Sequence, residues 1–84
     1  MRYTVVWLPD AETCLTDLYN RAVDKQTFTD AANRIDALLR DDPEKWAKPL
    51  GKFHVLTVEP VSVLFHVDPG DCMVRVISVR RTDE

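Results

Sequence analysis

Five basic side chains fall between residues 48 and 81: Lys48, Lys52, Arg75, Arg80 and Arg81. A guanidinium is a planar fork of donors, suited to bidentate binding of a phosphate or a carboxylate. Arg75 stands among Val74, Val76 and Ile77, so it needs either solvent or an anion on its face. His66 is the one nearby residue whose type serves as acid or base close to neutrality. The same groups also fit plainer roles. Arg80 and Arg81 read equally as solvated charges at a fraying end, and His66 as a half-exposed sheet residue. His54, between Phe53 and Val55, reads as structural, and Glu59 beside Pro60 as a turn residue.

Other chemistries are poorly served. His54 and His66 are 12 residues apart on separate apolar runs, with no acidic or thiol ligand at a recognisable spacing, so no metal is expected. Two glycines are too few for a Gly-rich phosphate cradle, and no cofactor is expected. Cys14 and Cys72 lie far apart among apolar residues. They are expected as buried thiols of a reducing cytoplasm rather than as a disulfide or a metal knuckle.

The chain has 84 residues, room for one small domain over 1–84 and no second core. With 45% hydrophobic and 30% charged residues it is composed to fold rather than to stay disordered. The net charge of −3 excludes a protein that binds nucleic acid with its whole surface. A local patch remains open, because residues 48–81 carry 5 basic and 3 acidic side chains, whereas residues 1–47 carry 6 and 9. No signal peptide is readable and no run approaches the ~20 apolar residues of a membrane helix, so a cytoplasmic location is expected.

The elements that must position these groups follow from periodicity. Residues 3–8 (YTVVWL) predict a strand covered on at least part of both faces, stopped by Pro9. Ala11, Cys14, Leu15, Leu18, Tyr19 and Ala22 mark one helical stripe over about 10–22. Phe28, Ala31, Ala32, Ile35, Leu38 and Leu39 mark another over about 27–40, with Thr27 and Asp30 as an approximate capping box. Asn33, Arg34, Asp36 and Arg40 are left for solvent. Residues 41–51 read as a long loop, in which Trp46 and Leu50 either close one end of the core or serve function.

Three strands follow, over 53–58, 61–67 and 72–79, with Pro69-Gly70 as a turn centre in which Gly70 accepts positive φ. That register opposes Val67 to Cys72, Phe65 to Val74 and Val63 to Val76 on the core face. Ser62, Leu64, His66, Met73, Arg75 and Ile77 take the other face. Arg81 continues that outer face and Arg80 the core side. The expected fold is α+β, two layers, in the order β-α-α-β-β-β, an antiparallel sheet with a helical hairpin on one face.

In this order several stretches resemble the RelE/ParE superfamily of type II toxin–antitoxin toxins, also known as plasmid stabilisation proteins. They are Tyr3-Thr4-Val5-Val6-Trp7-Leu8-Pro9-Asp10-Ala11-Glu12, the stripe Ile35, Leu38, Leu39 with Asp41 and Pro43, and Pro49-Leu50-Gly51. Val63-Leu64-Phe65-His66-Val67-Asp68 and Val74-Arg75-Val76-Ile77-Ser78-Val79-Arg80-Arg81 complete the pattern, which spans nearly the whole chain.

The resemblance implies a cytoplasmic bacterial toxin held off by a cognate antitoxin. RelE-like members cut mRNA in the ribosomal A site, and ParE-like members poison DNA gyrase without cutting. Carried over by position, the resemblance makes Arg80 or Arg81 the transition-state stabiliser of a nuclease, with His66 as acid or base. Lys48, Lys52 and Arg75 would face the antitoxin. The sequence departs from active RelE-type ribonucleases in its Arg80-Arg81-Thr82-Asp83-Glu84 ending and its acidic balance. A gyrase inhibitor and a non-toxic binding domain of the same fold therefore stay open beside the nuclease.

Overall fold

The β-branched and aromatic run after Tyr3 forms β1 (Thr4–Trp7), and Pro9, preset for the first helical turn, starts α1 (Pro9–Arg21). These features belong to a computed structural model, which describes residues 2–82. Asp10 and Glu12 lie in the first turn of α1 and Arg21 in the last, each matching the helix dipole.

The second helix, α2 (Lys25–Asp41), starts two residues before the expected position. Its N-cap is Asp24, not Thr27: the Asp24 carboxylate accepts from Thr27 N at 3.0 Å and from Thr27 Oγ1 at 2.6 Å. The Thr27 hydroxyl first, and the Thr27 N–H second, hold the Asp24 carboxyl below its ordinary value. Four strands follow: β2 (Lys48–Leu50), β3 (Phe53–Val58), β4 (Val61–Asp68) and β5 (Met73–Arg81). The short β2 falls inside the stretch expected as loop. Three residues including Pro49 are too few to show an apolar alternation, and only pairing with β3 makes them a strand.

The sheet order is β1-β5-β4-β3-β2. β2 to β5 form an antiparallel meander, but β1 pairs with β5 in parallel, so the sheet is mixed rather than antiparallel. The reason is topological. The helical hairpin carries the chain from one sheet edge to the other, and the meander then returns until β5 lies beside β1. Both helices cover one face only, α1 across β5 and α2 chiefly over β3. β1 is thus an edge strand buried on one side: Val5 turns inward, while Thr4 and Val6 are exposed on the other.

Between the layers lie Leu18, Phe28, Ile35, Leu39, Leu56, Val63, Phe65, Val74, Val76 and Val79, all buried, with Leu15 and Leu38 packed against them. Asp36 and Arg40, expected in solvent, tie α2 to β1 instead. Arg40 Nε donates to Asp36 Oδ2 at 2.7 Å, Trp7 Nε1 donates to Asp36 Oδ1 at 3.4 Å, and Tyr3 N donates to Arg40 O at 2.8 Å.

The β4–β5 hairpin turns through residues 69–72 rather than through two residues. Val67 opposes Val74 and Phe65 opposes Val76, a shift of two from the expected register. An even shift keeps every side chain on its face, so the expected core face survives. Positive φ falls on Cys72 (φ 49), not on Gly70, while Gly51 (φ 62) takes that conformation in the β2–β3 turn.

A bulge then intervenes. Leu64 pairs with Ser78 and Phe65 with Val76, leaving Ile77 as the extra residue. Beyond it Val79 turns to the core while Ser78 and Arg80 are exposed. Both cysteines are half-buried rather than fully buried, and Cys14 Sγ donates to Val79 O at 3.0 Å.

Candidate functional site

The helices leave one sheet face bare, and cross-strand partners share a face, so the register tells which side chains it carries. At one end Leu50, Phe53, His66, Arg75 and Val6 form a row across all five strands. Lys48, Val55, Leu64 and Ser78 form the next, and Thr57, Ser62 and Arg80 the last. Apolar residues make the floor, and among the described residues of these rows the cations Lys48, Arg75 and Arg80 stand on it, with the Asp68 carboxylate beside Arg75. Thus an acidic chain presents a basic face.

Each group is held differently. Arg75 Nη1 lies 3.8 Å from Asp68 Oδ2, a half-exposed pair at the hairpin end. His66 is directly opposite Arg75, and its ring meets Phe53 edge-on at 6.1 Å. Among the described residues no protein group hydrogen-bonds the His66 imidazole. Arg80, opposite Ser62, borders a cavity of about 170 Å³ with Leu50, Val55, Leu64 and Ser78. Ser62 is buried, its hydroxyl 3.0 Å from that of Thr57. Lys48 is exposed opposite Val55, and Lys52, in the β2–β3 turn, lies 5.7 Å from the Phe53 ring centre.

The bulge overturns the expected placement of the terminal arginines. Arg80 is on the bare face with Arg75 and His66. Arg81, opposite Val61, passes to the helix side and lines a groove of about 330 Å³ with Asp24, Thr27, Phe28, Glu59 and Pro60. The signal for this was in the sequence: apolar Val79 and polar Ser78 break the alternation that Val74 and Val76 begin. Thr82 N donates to Pro60 O at 2.9 Å, and its hydroxyl to Glu59 Oε2, which fastens the end of β5 beside that groove.

Even on one face the candidates do not converge on a point. From His66 to Ser62, the neighbour of Arg80, is four residues along β4, about 13 Å at the rise of an extended strand. The arrangement suits an extended anionic chain lying across the rows better than one small anion. His54 faces the other way. It stacks on Phe65 at 5.6 Å, with Nε2 3.9 Å from Glu44 Oε1, and belongs to the packing. Among the described residues no cluster of His, Cys, Asp or Glu could hold a metal.

Trp46 and Leu50 do not close the core. They are 61% and 59% exposed, and the end of the core is closed by Pro43 and Ala47. No described helix is long and apolar enough to cross a membrane.

No protein-family profile and no curated protein matches the chain. Solved structures do match it. A chain of the toxin–antitoxin complex RelBE2 from Mycobacterium tuberculosis aligns with a TM-score of 0.83 at 16% identity, covering 100% of this chain and 95% of that one. A chain of the chromosomal ParDE toxin–antitoxin system of P. aeruginosa aligns with a TM-score of 0.71 at 14% identity, covering 95% and 96%. TrmO from Pseudomonas aeruginosa aligns with a TM-score of 0.65 at 22% identity, covering 94% of this chain but 35% of TrmO. In strand order, helical layer and full-length course, this chain has the RelE/ParE fold.

Proposed function

We propose that this protein is the toxin of a type II toxin–antitoxin pair, neutralised by a cognate antitoxin, and that its target is mRNA on the ribosome. The observation that carries the reading is the bare sheet face, where Lys48, Arg75 and Arg80 stand on an apolar floor with His66 beside Arg75. A polyanion is the ligand such a face fits, and the likeness in fold to RelBE2 supplies the biological setting.

RNA cleavage by transesterification needs an activated 2′-oxygen, stabilised charge on the phosphorus centre and a protonated 5′-oxygen. Arg80 is suited to the charge stabilisation and His66 to the proton transfer. Strand geometry separates them by about 13 Å along β4, too far for both to act on one phosphate, so one of the two roles must come from another group, such as one of the ribosome. That separation also favours a second reading, a gyrase inhibitor for which the face is a binding surface only. The ParDE likeness accompanies it.

The test is purified protein with programmed ribosomes, together with pulse labelling after expression in bacteria. Cleavage of A-site codons and immediate loss of protein synthesis is the expected result. Growth arrest with loss of DNA synthesis and no cleavage would move the target to gyrase. Neither effect would leave a non-toxic binding domain of the same fold.

A further inference from the structure

The bulge at Ile77 inverts the direction of hydrogen bonding as well as the faces. Before it, the carbonyls of Cys72 and Val76 point to the β1 side, where they accept from Thr4 N at 2.9 Å and Leu8 N at 3.1 Å. Beyond it, Thr82 N points to the β4 side and donates to Pro60 O. Backbone polar groups change sides at each step along a strand, so the Val79 carbonyl points away from β4. β1 has no donor to offer there, because its pairing ends with Trp7 opposite Val76 and the chain turns into α1. Val79 is buried, and a buried carbonyl without a donor is costly. The donor comes from the helix instead: Cys14 Sγ, in the second turn of α1, lies 3.0 Å from Val79 O.

We infer that Cys14 is a positioning residue for Arg80. Its thiol supplies the hydrogen bond that the ended strand cannot. The peptide it holds is planar and joins Val79 to Arg80, so fixing its carbonyl also fixes the direction in which Arg80 leaves the chain. The other side of Arg80 is anchored separately, by Thr82 N on Pro60 O and the Thr82 hydroxyl on Glu59. Between the two anchors Arg80 is held over the bare face, beside Leu50 and Val55. The inference rests on the reading of Arg80 as the charge-stabilising group and adds what aims it. A thiol is a weak donor, so the effect is that of one modest hydrogen bond, about 2- to 12-fold in rate.

The experiment compares wild type, Cys14→Ala, Cys14→Ser, Arg80→Ala and the double variant Cys14→Ala with Arg80→Ala. On programmed ribosomes Cys14→Ala is expected to lower kcat by that factor with KM near wild type, and Cys14→Ser, which keeps a donor, to restore most of it. Added to Arg80→Ala, the Cys14→Ala change should cost nothing further, because it acts only through Arg80. An equal loss on both backgrounds would make Cys14 merely structural. No loss in Cys14→Ala, or the same loss in Cys14→Ser, would also overturn the inference.

Nuclear Overhauser contacts from the Arg80 side chain to Leu50 and Val55 are read in the same proteins without ribosomes. They are expected in wild type and Cys14→Ser and weakened in Cys14→Ala. If wild type does not cleave, the mRNA reading falls and these contacts decide alone. Their persistence in Cys14→Ala would overturn the positioning role, and their loss there with retention in Cys14→Ser would uphold it for whatever ligand the face binds.

Discussion

Arg80 and Arg81 are consecutive in the chain and serve opposite faces of the sheet. Arg80 opposes Ser62 on the bare face, and Arg81 opposes Val61 beneath the helices. In a strand neighbours always alternate, so one of the two had to face each way. Which one was decided three residues earlier, where the bulge inserts Ile77 and exchanges the faces of everything beyond.

The two arginines should therefore separate on substitution. Arg80→Ala is expected to lower ribosome-dependent cleavage by about 10²–10³-fold, the usual cost of losing a preorganised charge-stabilising donor. Arg81→Ala should leave the cleavage rate near wild type. Rates on programmed ribosomes check this, and equal losses in both variants would contradict the assignment of faces.

On the proposed function, association with a cognate antitoxin should depend on the bare face. Arg75→Glu with Arg80→Glu reverses two of its three cations, and such surface charges act mainly on association rate and salt dependence. Stopped-flow mixing with the antitoxin should show slower association at low salt and a flatter salt response. An unchanged rate would place the antitoxin elsewhere.

Acid should loosen the start of α2. The folded-state value of Asp24 is depressed by Thr27, so its cap is fully present above the unfolded value of 3.8 and is lost as pH falls through the lower folded value. Asp24→Asn keeps a capping oxygen without the titration. Protection of the Thr27 amide, relative to the intrinsic exchange rate at each pH, should then lose its pH dependence below about 4, near the ordinary carboxylate range.

Truncation in the core should threaten folding. Phe65 is fully buried between the layers and stacked on His54. Phe65→Ala is expected to cost about 3–5 kcal/mol, a large part of the 5–15 kcal/mol of a typical domain. Urea unfolding of the purified variant measures it.

Cys72 holds φ 49, a conformation that costs an L-residue roughly 1–2 kcal/mol. Cys72→Asn relieves part of that and is expected to raise the melting temperature, whereas a β-branched residue there should lower it. Thermal unfolding of the Asn and Val variants distinguishes the two.

Much of this protein was determined by its sequence alone. The 3.6-residue stripes on either side of Ala22 set two helices, and the β-branched runs around Phe65 and Val76 set the strands and their buried face. These are local patterns, and burial of an apolar stripe rewards them whatever the partner. The chemistry of the basic stretch 48–81 was equally legible, since residue type alone limits what Arg75, Arg80 and His66 can do.

Tertiary structure decided what depends on pairing between distant segments. The parallel union of Val5 with Val74 needed the helical hairpin to cross the sheet first. β2 exists only against β3, because three residues with a proline have no strand signal of their own. Trp46 could be judged inside or outside only once Pro43 and Ala47 had filled the end of the core. The face of Arg80 followed from the bulge between Leu64 and Phe65, because a single inserted residue inverts every side chain after it and its position is settled by which of Ser78 and Val79 the core accepts.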